Sequence, residues 1–153
     1  MPTSNSVLFD TNILVYSFDD KSPYHDVAVS WRNKIVDGKI NGVLSSQNLA
    51  EFSRVLLDSK QSNLVLPRKI IAAEIANYRN EQGGFTIIYP NNKSLDIFEK
   101  LILTFKAGTK SVKIFDIFLV ATMLGNNIKT ILTANVDDFK EFQDKIKIIS
   151  LSS

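Results

Sequence analysis

At 153 residues, 44% hydrophobic and 22% charged, the chain is long and apolar enough to bury a core, which excludes a disordered class. A formal net charge of +2 permits contact with a polyanion without requiring it. With no cysteine there is neither a disulfide nor a thiolate metal site, so oxygen or the single histidine must hold any metal.

A run rich in β-formers opens the chain and predicts a strand over residues 6–9, followed at once by Asp10. Asp10 interrupts the first apolar stretch, so no leader of basic residues and continuous apolar sequence is expected. Asp10-Thr11-Asn12 is good capping and turn chemistry, and an isolated aspartate at such a junction reads first as a cap. A helix over 24–37 follows, with His25 near its start as an unassigned surface residue. A second strand is predicted over 42–45 and a helix over 47–59. If Leu49, Phe52 and Leu56 mark the buried stripe of that helix, Glu51 points off its centre, beside Arg54 and Asp58, as a surface charge would. Only its place about one turn into a helix that follows a strand argues otherwise.

Pro67 suits the first turn of a helix over 67–81, which Gly83-Gly84 ends before a strand over 85–89. A helix over 94–105 leads into a basic loop at 106–113 that carries Lys110 and Lys113. Asp116 then opens a helix over 116–125. Apolar residues surround it on every side, so burial is expected, and a buried carboxylate needs a partner beyond a helix cap. The longest uncharged apolar run, Ile117 to Gly125, falls far short of the roughly 20 residues that span a bilayer. A strand over 130–133 leads into Thr133-Ala134-Asn135-Val136-Asp137-Asp138-Phe139. Its polar residues either line a site or form a turn that caps a short helix near 139–142. A last strand is expected over 145–150, and the ten Phe and one Trp read as core.

Strands alternating with helices give a single α/β domain over 1–153, a three-layer α/β/α sandwich on a mostly parallel sheet of about five strands. Ligands sit beyond the carboxyl ends of the strands in such sheets, and that is where Asp10, Glu51, Asp116 and Asn135 fall. Carboxylates that converge there suit a shared hard divalent cation and phosphate-ester chemistry.

In this order the segments resemble the PIN-domain nucleases, in particular the VapC-type toxins of toxin–antitoxin pairs. Phe9-Asp10-Thr11-Asn12 is similar to the first motif, Ser45-Ser46-Gln47-Asn48-Leu49-Ala50-Glu51 to the segment carrying the family's glutamate, and Phe115-Asp116-Ile117 through Ala121-Thr122 to the third. Thr133 to Phe139 is similar to the closing signature, with Asn135 where the family often has a fourth acid. The resemblance implies a catalytic set of Asp10, Glu51, Asp116 and Asn135. Asp10, Glu51 and Asp116 would hold Mg²⁺ or Mn²⁺, and Thr11, Asn12, Thr133, Asp137 and Asp138 would support them. Arg54, Lys110 and Lys113 become candidates for positioning phosphate. It further implies a cytoplasmic, homodimeric endoribonuclease that leaves 5′-phosphate and 3′-hydroxyl ends, with RNA as substrate, a cognate antitoxin as partner and no membrane. Two other readings stand beside it. One is a PIN-like module that binds RNA or protein without catalysis. The other is a phosphatase or receiver domain, which usually wants a second acid where Thr11 and Asn12 stand.

Overall fold

Strands β1 (Ser6–Phe9), β2 (Asn41–Ser45), β3 (Phe85–Ile88), β4 (Thr130–Thr133) and β5 (Lys147–Ser150) form one sheet in the order β3-β2-β1-β4-β5, and every neighbouring pair is parallel. These observations come from a computed structural model that describes residues 5–58, 64–80, 84–106, 110 and 113–152. The strands are apolar on both sides because both faces are covered. Val7 and Phe9 point into one core with Leu44 and Leu132, while Leu8 points into the other with Val43 and Ile131.

Helices α1 (Thr11–Phe18), α2 (His25–Val36), α3 (Ser46–Leu57) and α4 (Arg68–Arg79) supply the first core. The second core takes α5 (Asn92–Thr104), α6 (Lys113–Gly125), the short α7 (Val136–Phe139) and the 3₁₀ turn Lys140–Phe142. The architecture is therefore the expected α/β/α sandwich, with its five strands all parallel rather than mostly so. Among the described residues, no helix is long and apolar enough to cross a membrane.

Several boundaries differ from the sequence reading, each for a local reason. The sequence predicted no element over 11–18 beyond a helix that Asp10 might cap. α1 fills that span, with Ile13, Leu14 and Val15 all buried. Such continuous burial leaves no 3.6-residue stripe to read. α6 starts at Lys113, three residues before the expected start, which moves Asp116 from the helix's first residue into its first turn. Pro67 is the N-cap of α4 rather than a residue inside it, with φ −58° and ψ 144°. β5 begins at Lys147, since residues 145 and 146 close the preceding turn onto Phe142. The expected helix ends at Ser59 and Glu81, Gly83, and residues 107–109 and 111–112 of the basic loop lie outside the described residues.

α5 and α6 pack at close range. A Cβ on Gly125 would stand 2.1 Å from Ser94 Oγ and 2.7 Å from its backbone nitrogen. Only glycine permits that approach. Asn91 Nδ2 also donates to the Gly125 carbonyl at 3.1 Å, so the far end of α6 is pinned to the start of α5.

Candidate functional site

β1 is the central strand. The chain builds β2 and β3 on one side of it and then returns to add β4 and β5 on the other. The order thus reverses between β1 and β4, and in open α/β sheets ligands bind beyond the carboxyl ends of the strands at such a switch point. Asp10 stands there, directly after β1. One oxygen, Oδ1, caps α1 by accepting from the Thr11 backbone nitrogen at 2.8 Å. The other, Oδ2, accepts from Thr133 Oγ at 2.7 Å and from Asn12 Nδ2 at 3.2 Å. The Asn12 Oδ1 in turn accepts from the Ala134 backbone nitrogen at 3.3 Å, so Asn12 fastens the start of α1 to the segment after β4. Capping and site readings of Asp10 are compatible, because they use different oxygens. Burial raises the Asp10 carboxyl to about pH 6. The Thr133 and Thr11 hydrogen bonds oppose that rise, and the nearby charges of Glu51 and Asp116 add to it.

Glu51 arrives from the neighbouring strand. Ser45, the last residue of β2, caps α3 by accepting from the Asn48 backbone, and Asn48 returns the bond to the Ser45 nitrogen. Glu51 is not the surface charge that its position relative to Leu49, Phe52 and Leu56 suggested. The buried stripe of α3 is Asn48, Phe52 and Leu56, so a polar residue sits inside the core and shifts the inward face toward Glu51. Both carboxylate oxygens are held. Oε2 accepts from Thr11 Oγ at 2.9 Å and Oε1 accepts from Gln47 Nε2 at 3.0 Å. The Thr11 hydroxyl also accepts from Asn48 Nδ2 at 3.2 Å, so it works as both donor and acceptor.

Asp116 comes from the opposite layer. It is less enclosed than its apolar neighbours implied, and its side chain keeps 28% of its surface exposed. Deep burial begins one residue later, at Ile117, whereas Ile114 faces solvent and Phe115 is 61% exposed. Phe115 is therefore an exception to the reading of every phenylalanine as core. Burial still raises the Asp116 carboxyl to about pH 6. Lys113 opposes the shift, and the charges of Asp138 and Glu51 add to it.

The remaining predicted residues divide unequally. Lys113 Nζ lies 3.6 Å from Asp116 Oδ2 and donates to the Asp138 backbone carbonyl, so it is engaged with the acids. Lys110 and Arg54 are exposed. The Asn135 side chain is exposed too, while its backbone nitrogen donates to Thr133 Oγ at 3.0 Å, behind the bond to Asp10. Asp137 is almost fully exposed and pairs loosely with Lys140 at 4.0 Å, and Asp138 is also exposed. His25 opens α2, where its Nδ1 meets the Tyr16 carbonyl at 3.0 Å. Gln47 and Asn48 lie within the quoted Ser45–Glu51 segment, yet sequence reading gave them no role. The Ser45-x-x-Asn48 spacing was the available signal for Asn48.

Among the described residues, no three acidic or histidine side chains stand close enough to enclose a metal ion as they are. Nor does any lysine or arginine among them pair with Asp10 or Glu51. The acids therefore converge without closing. Their all-oxygen donors, and the charge on Asp10 and Glu51 that no described cation offsets, suit a hard divalent cation.

Comparison with known proteins agrees with this geometry. The PIN domain family matches residues 7–145. No curated protein gives a significant sequence match. Among solved structures the chain is similar to FitAcB from Neisseria gonorrhoeae, at 17% identity and a TM-score of 0.65, covering 95% of this chain and 98% of that one. It is also similar to VapBC-1 from nontypeable Haemophilus influenzae, at 19% identity and a TM-score of 0.61, covering 97% and 99%. A third is VapC20 of Mycobacterium tuberculosis, a sarcin–ricin loop cleaving toxin, at 13% identity and a TM-score of 0.55 over 82% and 86%.

Proposed function

The chain belongs to the PIN domain family, and from that premise we propose that it is a metal-dependent endoribonuclease, the toxin of a toxin–antitoxin pair. One observation carries this reading. Asp10, Glu51 and Asp116 come from three separate segments and both faces of the sheet, yet their charges act on one another, and the Asp10 and Asp116 carboxyls are raised by burial and by these neighbouring acids.

Asp10, Glu51 and Asp116 would hold Mg²⁺ or Mn²⁺. The bound ion supplies a Lewis acid for the scissile phosphate and an acidified water. The chain's own residues do the rest. Thr133 and Asn12 fix Asp10 through Oδ2, and Thr11 and Gln47 fix Glu51, so the donors are aimed before any cation arrives. Asn135 backs Thr133 through its backbone. Its neutral side chain offers at most a carbonyl oxygen, while Asp137 and Asp138 add negative potential at the rim. Lys113, held beside Asp116, would meet a phosphate entering over α6, and the exposed Arg54 and Lys110 would be further phosphate contacts. The partners in this reading are RNA, a cognate antitoxin and a second copy of the chain, in the cytoplasm as one domain.

Incubating purified protein with RNA and Mg²⁺ or Mn²⁺ tests the reading. Cleavage that excess EDTA and Asp10→Asn both abolish is expected. RNA binding without cleavage under every divalent metal would favour the non-catalytic module instead.

A further inference from the structure

Gln47 lies one turn before Glu51 on α3, and its amide bridges the two layers of the fold. Nε2 donates to Glu51 Oε1 at 3.0 Å and to the Phe115 backbone carbonyl at 3.0 Å. Phe115 immediately precedes Asp116. One side chain therefore touches one acid directly and the residue adjoining another. α3 packs into the first core and α6 into the second, so the bond to Phe115 joins elements that the sheet separates.

The orientation of the amide is fixed by chemistry. Both partners are acceptors, so the NH₂ group must face them. That leaves Gln47 Oε1 buried and, among the described residues, without a hydrogen-bond partner. A buried acceptor with no donor is unfavourable, and an apolar side chain of equal length would sit there more comfortably. Stability alone does not account for a glutamine at this position. Geometry does: the two N–H bonds set how far Glu51 stands from the start of the helix that carries Asp116.

We propose that Gln47 is a positioning residue that fixes the gap between Glu51 and Asp116 across which a divalent cation is held. The proposal rests on the metal-centre reading above. Without the amide, Glu51 keeps only Thr11 and samples more rotamers, and the start of α6 is free to shift against α3. Loss of such an outer hydrogen bond typically weakens cation binding by about 10- to 100-fold.

The test measures Mn²⁺ affinity by paramagnetic resonance of the free ion in wild type, Gln47→Met and Gln47→Ala, beside the thermal midpoint of each cation-free protein. Gln47→Met has the same reach and removes the orphaned oxygen together with the donor. It should bind Mn²⁺ about tenfold more weakly with an unchanged or raised midpoint, and its kcat at fixed Mn²⁺ should fall while KM for RNA stays constant. A purely structural role would lower the midpoint and leave affinity per folded molecule unchanged, and that outcome overturns the proposal. Gln47→Ala reads the same affinity if the methionine variant does not fold. Equal Mn²⁺ binding by wild type and variant overturns the positioning role alone, whereas no binding by wild type overturns the metal centre with it.

Discussion

Asp10 and Asp116 place the fold under a pH-dependent strain. Burial raises each carboxyl from 3.8 to about 6. Between those values the folded protein keeps protons that the unfolded chain has released, so the cation-free fold is favoured below about pH 4 and loses that advantage as pH rises through about 6. A shift of roughly two units corresponds to about 2–3 kcal/mol for the buried Asp10 and to less for Asp116, whose exposure lets solvent screen its charge, both fully lost by about pH 7.5. Asp10→Asn keeps the helix cap but turns an NH₂ toward the Thr133 and Asn12 donors, so its clean expectation is a shallower fall in stability of the cation-free protein as pH rises, together with loss of cleavage. Denaturant unfolding of the two proteins at about pH 5 and about pH 7.5 checks this: wild type should lose more stability between the two pH values than the variant. Thr133→Val removes the donor that most opposes the rise in Asp10. The acid-side decline of Mn²⁺ affinity should then begin at higher pH than in wild type, measured as affinity against pH. At this scale Asp10 was legible as a junction residue and Asp116 as an acid among apolar residues. Glu51 was not, because a buried Asn48 displaces the stripe that periodicity locates from hydrophobic residues alone.

Elements were read best where one face is wet. α5 carries an apolar stripe with exposed residues opposite, and it was found within two residues at its start. α1 escaped because Ile13, Leu14 and Val15 are all covered, so no wet face gives it the 3.6-residue stripe that marks a helix. The first turn of α6 was missed for a different reason: it is largely exposed, and Lys113 belongs to the helix as well as to the basic segment before it. Packing between elements yields a sharper expectation than their boundaries do. Gly125→Ala drives a methyl into Ser94, whose oxygen would stand 2.1 Å away and whose backbone cannot retreat without moving α5. Destabilisation of about 1–3 kcal/mol is expected, read as a lower denaturant midpoint. Because α6 carries Asp116, weaker Mn²⁺ binding should accompany it in the fraction that folds.

Across the whole molecule, the parallel sheet was legible from strands apolar on both faces, whereas the strand order was not, because register and neighbours depend on contacts between distant segments. A cation bound among the acids would couple both helical layers to the sheet's central strand. Mn²⁺ at about 100 times its dissociation constant should stabilise the fold by about 2.7 kcal/mol, an effect that EDTA reverses and that shrinks toward about pH 5 as protons compete. Thermal unfolding with and without the ion measures it. The bond from Thr133 to Asp10 joins residues 123 positions apart, and β4 is the strand that gives β1 its second neighbour. On a ribosome, Asp10 and Glu51 emerge early, but the hydroxyl that holds Asp10 does not exist until most of the chain has been made. A fragment that ends before β4 lacks that hydroxyl, and under the proposed function it should cleave RNA poorly even though it carries Asp10, Glu51 and Asp116.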